Sequence, residues 1–220
     1  KFFGTLYNTY QFFALYSNVD GFAFKEAYIP LAERPEIDRW ILSSLNTVVK
    51  KANAYMDDYE PTQAGRVIED FVDEHLSNWY VRLCRRRFWK GEYEQDKICA
   101  YQTLYECLET IARLVAPISP FFSDTIFQNL NAVTRRFNAE SVHHVSYPDV
   151  DASENPPSGG RGAIDLSLEE RIQPIGSTRA GHKGRLISRK RILDDALRRM
   201  LINNTILSPV TNSQRALGEL

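Results

Sequence analysis

Residues 61–91 read PTQAGRVIEDFVDEHLSNWYVRLCRRRFWKG, from Pro61 to Gly91. Ile68, Val72, Leu76 (or His75), Trp79 and Leu83 recur at the helical period, which predicts one helix from about Thr62 to Lys90 with those side chains on its core face. Glu60-Pro61 breaks whatever precedes it, and Gly91 can supply a left-handed stop. Glu69, Asp70, Asp73 and Glu74 lie in the first half, and Arg82, Arg85, Arg86, Arg87 and Lys90 in the second. Acid first and base last complements the helix dipole. Yet that effect contributes only about 0.3–1 kcal/mol per charge, little reason to gather so many cations in nine residues. Guanidinium groups bind phosphates through two parallel N–H donors, and both they and aromatic rings stack on bases. A helix end resting on a core and a nucleic-acid surface are therefore both compatible with SNWYVRLCRRRFWKG.

Four more helical segments flank this one. Phe3, Leu6, Tyr7, Tyr10, Phe13 and Ala14 follow the i, i+3, i+4, i+7 rule, and Asp20-Gly21 punctuates that segment. A second helix opens around Pro35 and carries Ile37, Ile41, Leu45, Val48, Val49, Ala52 and Met56 on one face. Beyond the arginines, a helix from near Gln95 to Pro117 bears the stripe Ile98, Tyr101, Tyr105, Leu108, Ile111, Ala112 and Val115. Ser119-Pro120 forms a cap and first-turn pair for a fifth helix through Leu130. Val142 to Tyr147 is at most a short extended segment. Five helices with short connections predict an all-α, antiparallel helical bundle over residues 1 to about 135.

Composition divides the chain. All 26 aromatic residues lie at or before Tyr147, and seven of the eleven glycines lie after it. Lys and Arg number 16 against 20 Asp and Glu in residues 1–150, and 11 against 8 in residues 151–220. Aromatic rings supply much of a core's buried area. The expected organisation is thus a helical domain over 1–150, a Pro/Gly/Ser-rich linker over 151–163 and a basic, aromatic-free, poorly structured region over 164–220. Within the last, Pro174 to Arg191 is glycine-broken and basic, and Ile192 to Ile202 has a helical pattern. The overall charge is near zero, so a polyanion site must be a local patch. The three cysteines, Cys84, Cys99 and Cys107, have no CxxC spacing and point to a reducing, cytoplasmic setting rather than a disulfide framework or a zinc site. No apolar run reaches the length of a membrane span, and the start at Lys1 predicts a piece of a longer protein.

SNWYVRLCRRRFW closely resembles a segment of the tRNA-anticodon-binding domain of class I isoleucyl-tRNA synthetases. Lys1 to Phe22, KFFGTLYNTYQFFALYSNVDGF, is similar to the helix that follows that family's catalytic domain. EIDRWILSSLN (Glu36 to Asn46), LVAPISPFFSDTIFQNL (Leu114 to Leu130) and LEERIQ (Leu168 to Gln173) resemble later landmarks in the same order. The likeness covers about residues 1–173. Valyl, leucyl and methionyl enzymes share the bundle type, while RRRFW together with NTYQFFALYSNVDGF is similar to the isoleucyl branch. The resemblance implies a module that grips the anticodon arm of isoleucine tRNA and works beside the catalytic domain of its parent chain. The HIGH-like and KMSKS-like signatures of ATP handling are not found here, so no catalytic residue is expected in this chain; ATP and Mg would belong to the parent enzyme. After Gln173 the sequence departs from the family's regular helix. The alternatives are the equivalent domain of a valyl- or leucyl-tRNA synthetase and, from another functional class, a helical protein-interaction scaffold whose basic patch meets acidic protein.

The expected tRNA-binding residues are Arg82, Arg86, Trp89 and Lys90 along one exposed side of the helix, with Arg85 at the margin. Trp79 and Leu83 are expected to turn inward. Asn8, Tyr10 and Phe13 could touch RNA, although packing is the expected role of the two rings. Adjacent His143 and His144 point different ways and lack a third ligand at metal-binding spacing. Cys84, despite its arginine neighbours, is expected to be a small packing residue.

Overall fold

The computed structural model describes residues 1–90, 92–150 and 165–172 of the 220-residue chain. The linker expected at 151–163, the basic segment 174–191, the helical pattern at 192–202 and the Gly91 stop lie outside the described residues. Among those described, the chain is helical and forms no strand. Helix α1 spans Phe2–Asp20, α2 Glu36–Asp57, α3 Pro61–Asp70 and α4 Arg82–Trp89. The latter two are joined without interruption by a π-helical segment, Phe71–Val81. Helices α5 (Gln95–Val115) and α6 (Pro120–Thr134) follow, then a short α7 (Leu166–Arg171). This is the expected helical bundle.

The chain breaks where its sequence says it must. Gly21 closes α1 in the left-handed region at φ 70°, and the Phe22 N–H donates back to the Ser17 carbonyl at 2.9 Å. Prolines 61 and 120 occupy the first turns of α3 and α6, where a missing N–H costs nothing. Ser119, expected to cap α6, precedes it but makes no side-chain cap bond.

Helix α5 is the axis of the bundle, packed by α1, α2, α3, α4 and α6. Every side chain from Cys99 to Val115 is buried. One apolar stripe was expected; burial is all round, because two loops cover the polar face. The Gln102 side chain donates to the Ala27 carbonyl and accepts from the Ile29 N–H, both at 3.0 Å. Arg34, only 3% exposed, donates to Glu106 and Thr103 at 3.0 Å each. Arg113 reaches the Ser146 carbonyl at 2.6 Å and Glu109 at 3.0 Å. Buried polar groups are tolerable only when so matched. The loop before α2 and the segment after α6 thus make this helix compatible with the interior.

Two apolar faces differ from the sequence expectation. On α1 the buried positions are Leu6, Thr9, Phe13 and Ser17, while Phe3 and Tyr7 are nearly half exposed. On the long helix, Ile68, Val72, Leu76 and Trp79 are buried as expected, but beyond the π segment the core positions become Cys84 and Phe88, and Leu83 is half-buried. A π turn closes its hydrogen bond over one residue more than an α turn. The core face consequently slips one position along the chain. Phe88 uses that shift to pack edge-on against Phe12 and Tyr101, with ring centroids 5.2 Å apart in both cases.

The compact unit that begins at Lys1 runs to Glu170. Glu169 accepts from the Ser43 and Thr47 hydroxyls at 2.7 and 2.9 Å, and Leu168 is 3% exposed. Residues 165–170, which carry no aromatic ring, therefore belong with α2. One well-placed Leu and one carboxylate are enough to dock this short helix.

Candidate nucleic-acid interface

Helix α4 carries four arginines, and the structure sorts them into two kinds. Arg87 is structural. Its guanidinium meets both oxygens of the fully buried Asp38, at 2.7 and 2.8 Å. It also donates to the Asp96 carboxylate at 2.9 Å and to the Asp96 carbonyl at 2.8 Å. The Tyr80 hydroxyl donates to the same Asp38 oxygen at 2.8 Å. Burial works against the Arg87 charge, but the adjoining Asp38 carboxylate more than offsets it and holds the guanidinium more firmly protonated than usual. Burial, reinforced by Asp38, raises the Tyr80 hydroxyl well above its ordinary range, so it stays a donor. This cluster ties α4, the π segment, α2 and the start of α5 together.

Arg82, Arg85, Arg86 and Lys90 are the other kind. All four are exposed, and none has a carboxylate partner among the described residues. The Arg85 guanidinium lies 5.7 Å from the centre of the Phe12 ring. Trp89 is 56% exposed on the same helix. The structure thus places Arg82, Arg85, Arg86 and Trp89 on the exposed side of α4, with Lys90 exposed just past the helix in extended backbone. Such a surface can neutralise several phosphates and offer an indole face to an unstacked base.

The remaining sequence candidates have packing or surface positions. Trp79 is 8% exposed and neighbours Trp40, with ring centroids 6.2 Å apart. Phe13 is in the core, Tyr10 is half-buried and Asn8 is exposed. Cys84 is buried, and burial pushes its thiol up to about 12 despite Arg87 nearby. It is a protonated packing group. His143 and His144 are exposed in a 3-10 turn, Val142–His144.

Arg135 and Arg136, at the end of α6, were not singled out by sequence. The Arg136 guanidinium sits 4.1 Å from the centre of the Phe24 ring and 5.2 Å from that of Tyr105. A two-residue basic run has no sequence signal of its own, since such pairs are common at helix ends.

Residues 38–184 match the family model described as the anticodon-binding domain of tRNA ligase. Among curated proteins, the chain is 63% identical over 173 residues to an isoleucine–tRNA ligase of Bacteroides fragilis and 58% identical over 173 residues to one of Bacteroides thetaiotaomicron. It is 50% identical over 170 residues to an isoleucine–tRNA ligase of Dehalococcoides mccartyi. The matched part is 77–79% of this chain and 14–16% of the relatives' length, so the chain spans about a seventh of the proteins it resembles. A helical bundle with an unpaired basic and aromatic helix face, matched by that model over most of its length, belongs to the anticodon-binding domain family of tRNA ligases.

Proposed function

We propose that this chain is the anticodon-arm-binding module of an isoleucine–tRNA ligase. In the parent protein it would support ATP-dependent charging of tRNA with isoleucine in the cytoplasm, with ATP and Mg held by a catalytic domain elsewhere in the same chain. The observation that supports the binding role is the contrast on α4. Arg87 is consumed by Asp38 and Asp96, while Arg82, Arg85, Arg86 and Lys90 remain exposed without carboxylate partners beside an exposed Trp89. A purely structural helix end would not need that surplus. In this role the arginines hold phosphates or stack on bases, and Trp89 provides a flat face for an unstacked nucleotide.

Binding of the chain to isoleucine tRNA, with natural and altered anticodons and across a salt series, tests the reading. The logarithm of the affinity should fall linearly with log salt, and altered anticodons should bind more weakly. Arg86→Ala should reduce the salt slope by about one unit if it contacts only phosphate. If it reads a base, it should cost about 1–3 kcal/mol and relax anticodon preference. Folded Arg82→Ala and Arg86→Ala variants with unchanged affinity and slope would return α4 to a structural role.

A further inference from the structure

We propose that RNA also contacts the bundle at Arg136, whose guanidinium is a second phosphate-binding fork held in position at the end of α6. The proposal rests on the RNA-binding reading of α4 and extends it to a residue just past another helix.

A chain of rings joins the two places. From Arg85 the steps run to Phe12 at 5.7 Å, then between ring centres to Phe88 at 5.2 Å, Tyr101 at 5.2 Å, Phe22 at 5.0 Å and Phe24 at 5.6 Å. Arg136 closes the series, 4.1 Å from the Phe24 ring. Phe88, Tyr101 and Phe22 are buried, so this series runs through the core and anchors α1, α4, α5 and the end of α6 on one aromatic cluster. Unpaired arginines border it on both sides.

Arg136 is positioned by three features. Arg135 adopts the left-handed conformation at φ 50° and ends α6, its N–H donating to the Asn131 carbonyl at 2.7 Å. The Asn131 side chain then clamps the next residue but one: its amide donates to the Phe137 carbonyl, and its oxygen accepts from the Phe137 N–H, both at 2.9 Å. Arg136 lies between these fixed points. Phe24, on which its guanidinium rests, itself has φ 56°, a conformation that is costly for a bulky residue and is retained where the surroundings impose it.

The guanidinium so placed has work left to do. It makes no hydrogen bond and meets no carboxylate among the described residues, unlike Arg34, Arg87 and Arg113, each of which is paired. Nor does it turn back to the last carbonyls of α6, as a dipole-compensating arginine would. One face is covered by rings, which leaves the N–H edge to donate to two oxygens of a phosphate. Because the side chain is already ordered, less freedom is lost on binding than for a free surface arginine.

Filter binding of the whole chain to an isoleucine tRNA transcript, between 50 and 200 mM salt, tests the proposal. Arg136→Gln should weaken binding about tenfold and flatten the salt slope by roughly 0.7–0.9. Arg136→Lys should keep the slope but lose affinity several-fold, since an ammonium has no fork. Independently, bound tRNA should shield Arg136 of the unaltered chain from phenylglyoxal, read by mass spectrometry. Unchanged affinity and slope in Arg136→Gln, or a reactive Arg136 in the complex, overturns the proposal. If Arg86→Ala weakens binding under the same conditions, the α4 reading stands without the extension. If neither variant affects binding, both fail together.

Discussion

Replacing Arg87 should unfold this bundle far more readily than replacing its neighbour Arg86, although the two are adjacent and chemically identical. The Arg87 side chain is 13% exposed, and Asp38 opposite it is completely buried. Two short hydrogen bonds, at 2.7 and 2.8 Å, join them. Arg87→Ala leaves the Asp38 carboxylate in the interior with the Tyr80 hydroxyl at 2.8 Å as its remaining named donor. Removing one partner of a buried pair costs about 3–5 kcal/mol, because the desolvated charge loses its compensation. Arg86 is exposed and unpaired, and Arg86→Ala should change stability by no more than about 0.5 kcal/mol. Urea melts followed by circular dichroism measure both. For a domain of this size, the larger loss also lowers the melting temperature by about 10 °C. Asp38→Asn with Arg87→Met should recover part of the loss, since the buried charge is then gone from both sides. A loss below about 1 kcal/mol for Arg87→Ala would show that solvent reaches Asp38 and that the division of the arginines into structural and free groups is wrong.

The π segment predicts a reversal of apparent importance further along the same helix. Phe88→Ala should cost about 3–5 kcal/mol and Leu83→Ala clearly less in the same melts, whereas an uninterrupted α register would make Leu83 the core residue. His75 predicts an acid-sensitive stability. It stacks between Trp40 and Phe71, with ring centroids 5.8 and 5.9 Å away, and burial lowers its pKa below 6.5 although Asp70, Glu74 and Glu169 pull the other way. The unfolded chain then binds a proton more readily than the folded one, so this contribution is present above pH 6.5 and is lost as pH falls. His75→Phe should flatten that part of the stability profile between pH 7.5 and 5; an unchanged profile would assign the acid loss to other groups.

The helices and their breaks are legible in the sequence because they depend on local chemistry. Gly21, Pro61 and Pro120 act on the backbone where they stand, and apolar side chains at helical spacing mark segments that must bury a face. The exposure of Arg82, Arg85, Arg86 and Trp89 on α4 follows from the same spacing. Lys90 joins them from just past the helix end, where the backbone is already extended and helical spacing no longer applies.

Tertiary structure decided what each arginine is for. RRR at 85–87 carries no sign that its third member belongs to Asp38, a residue 49 positions away. Arg136 owes its place to the Asn131 clamp and to Phe24, brought together only when α6 returns past the loop after α1. The all-round burial of α5 and the slip from Leu83 to Cys84 and Phe88 are likewise set by neighbours distant in sequence. Periodicity records which side of a helix avoids water. It does not record which polar groups a distant loop will satisfy, because the free energy of a buried charge depends on the partner the fold supplies.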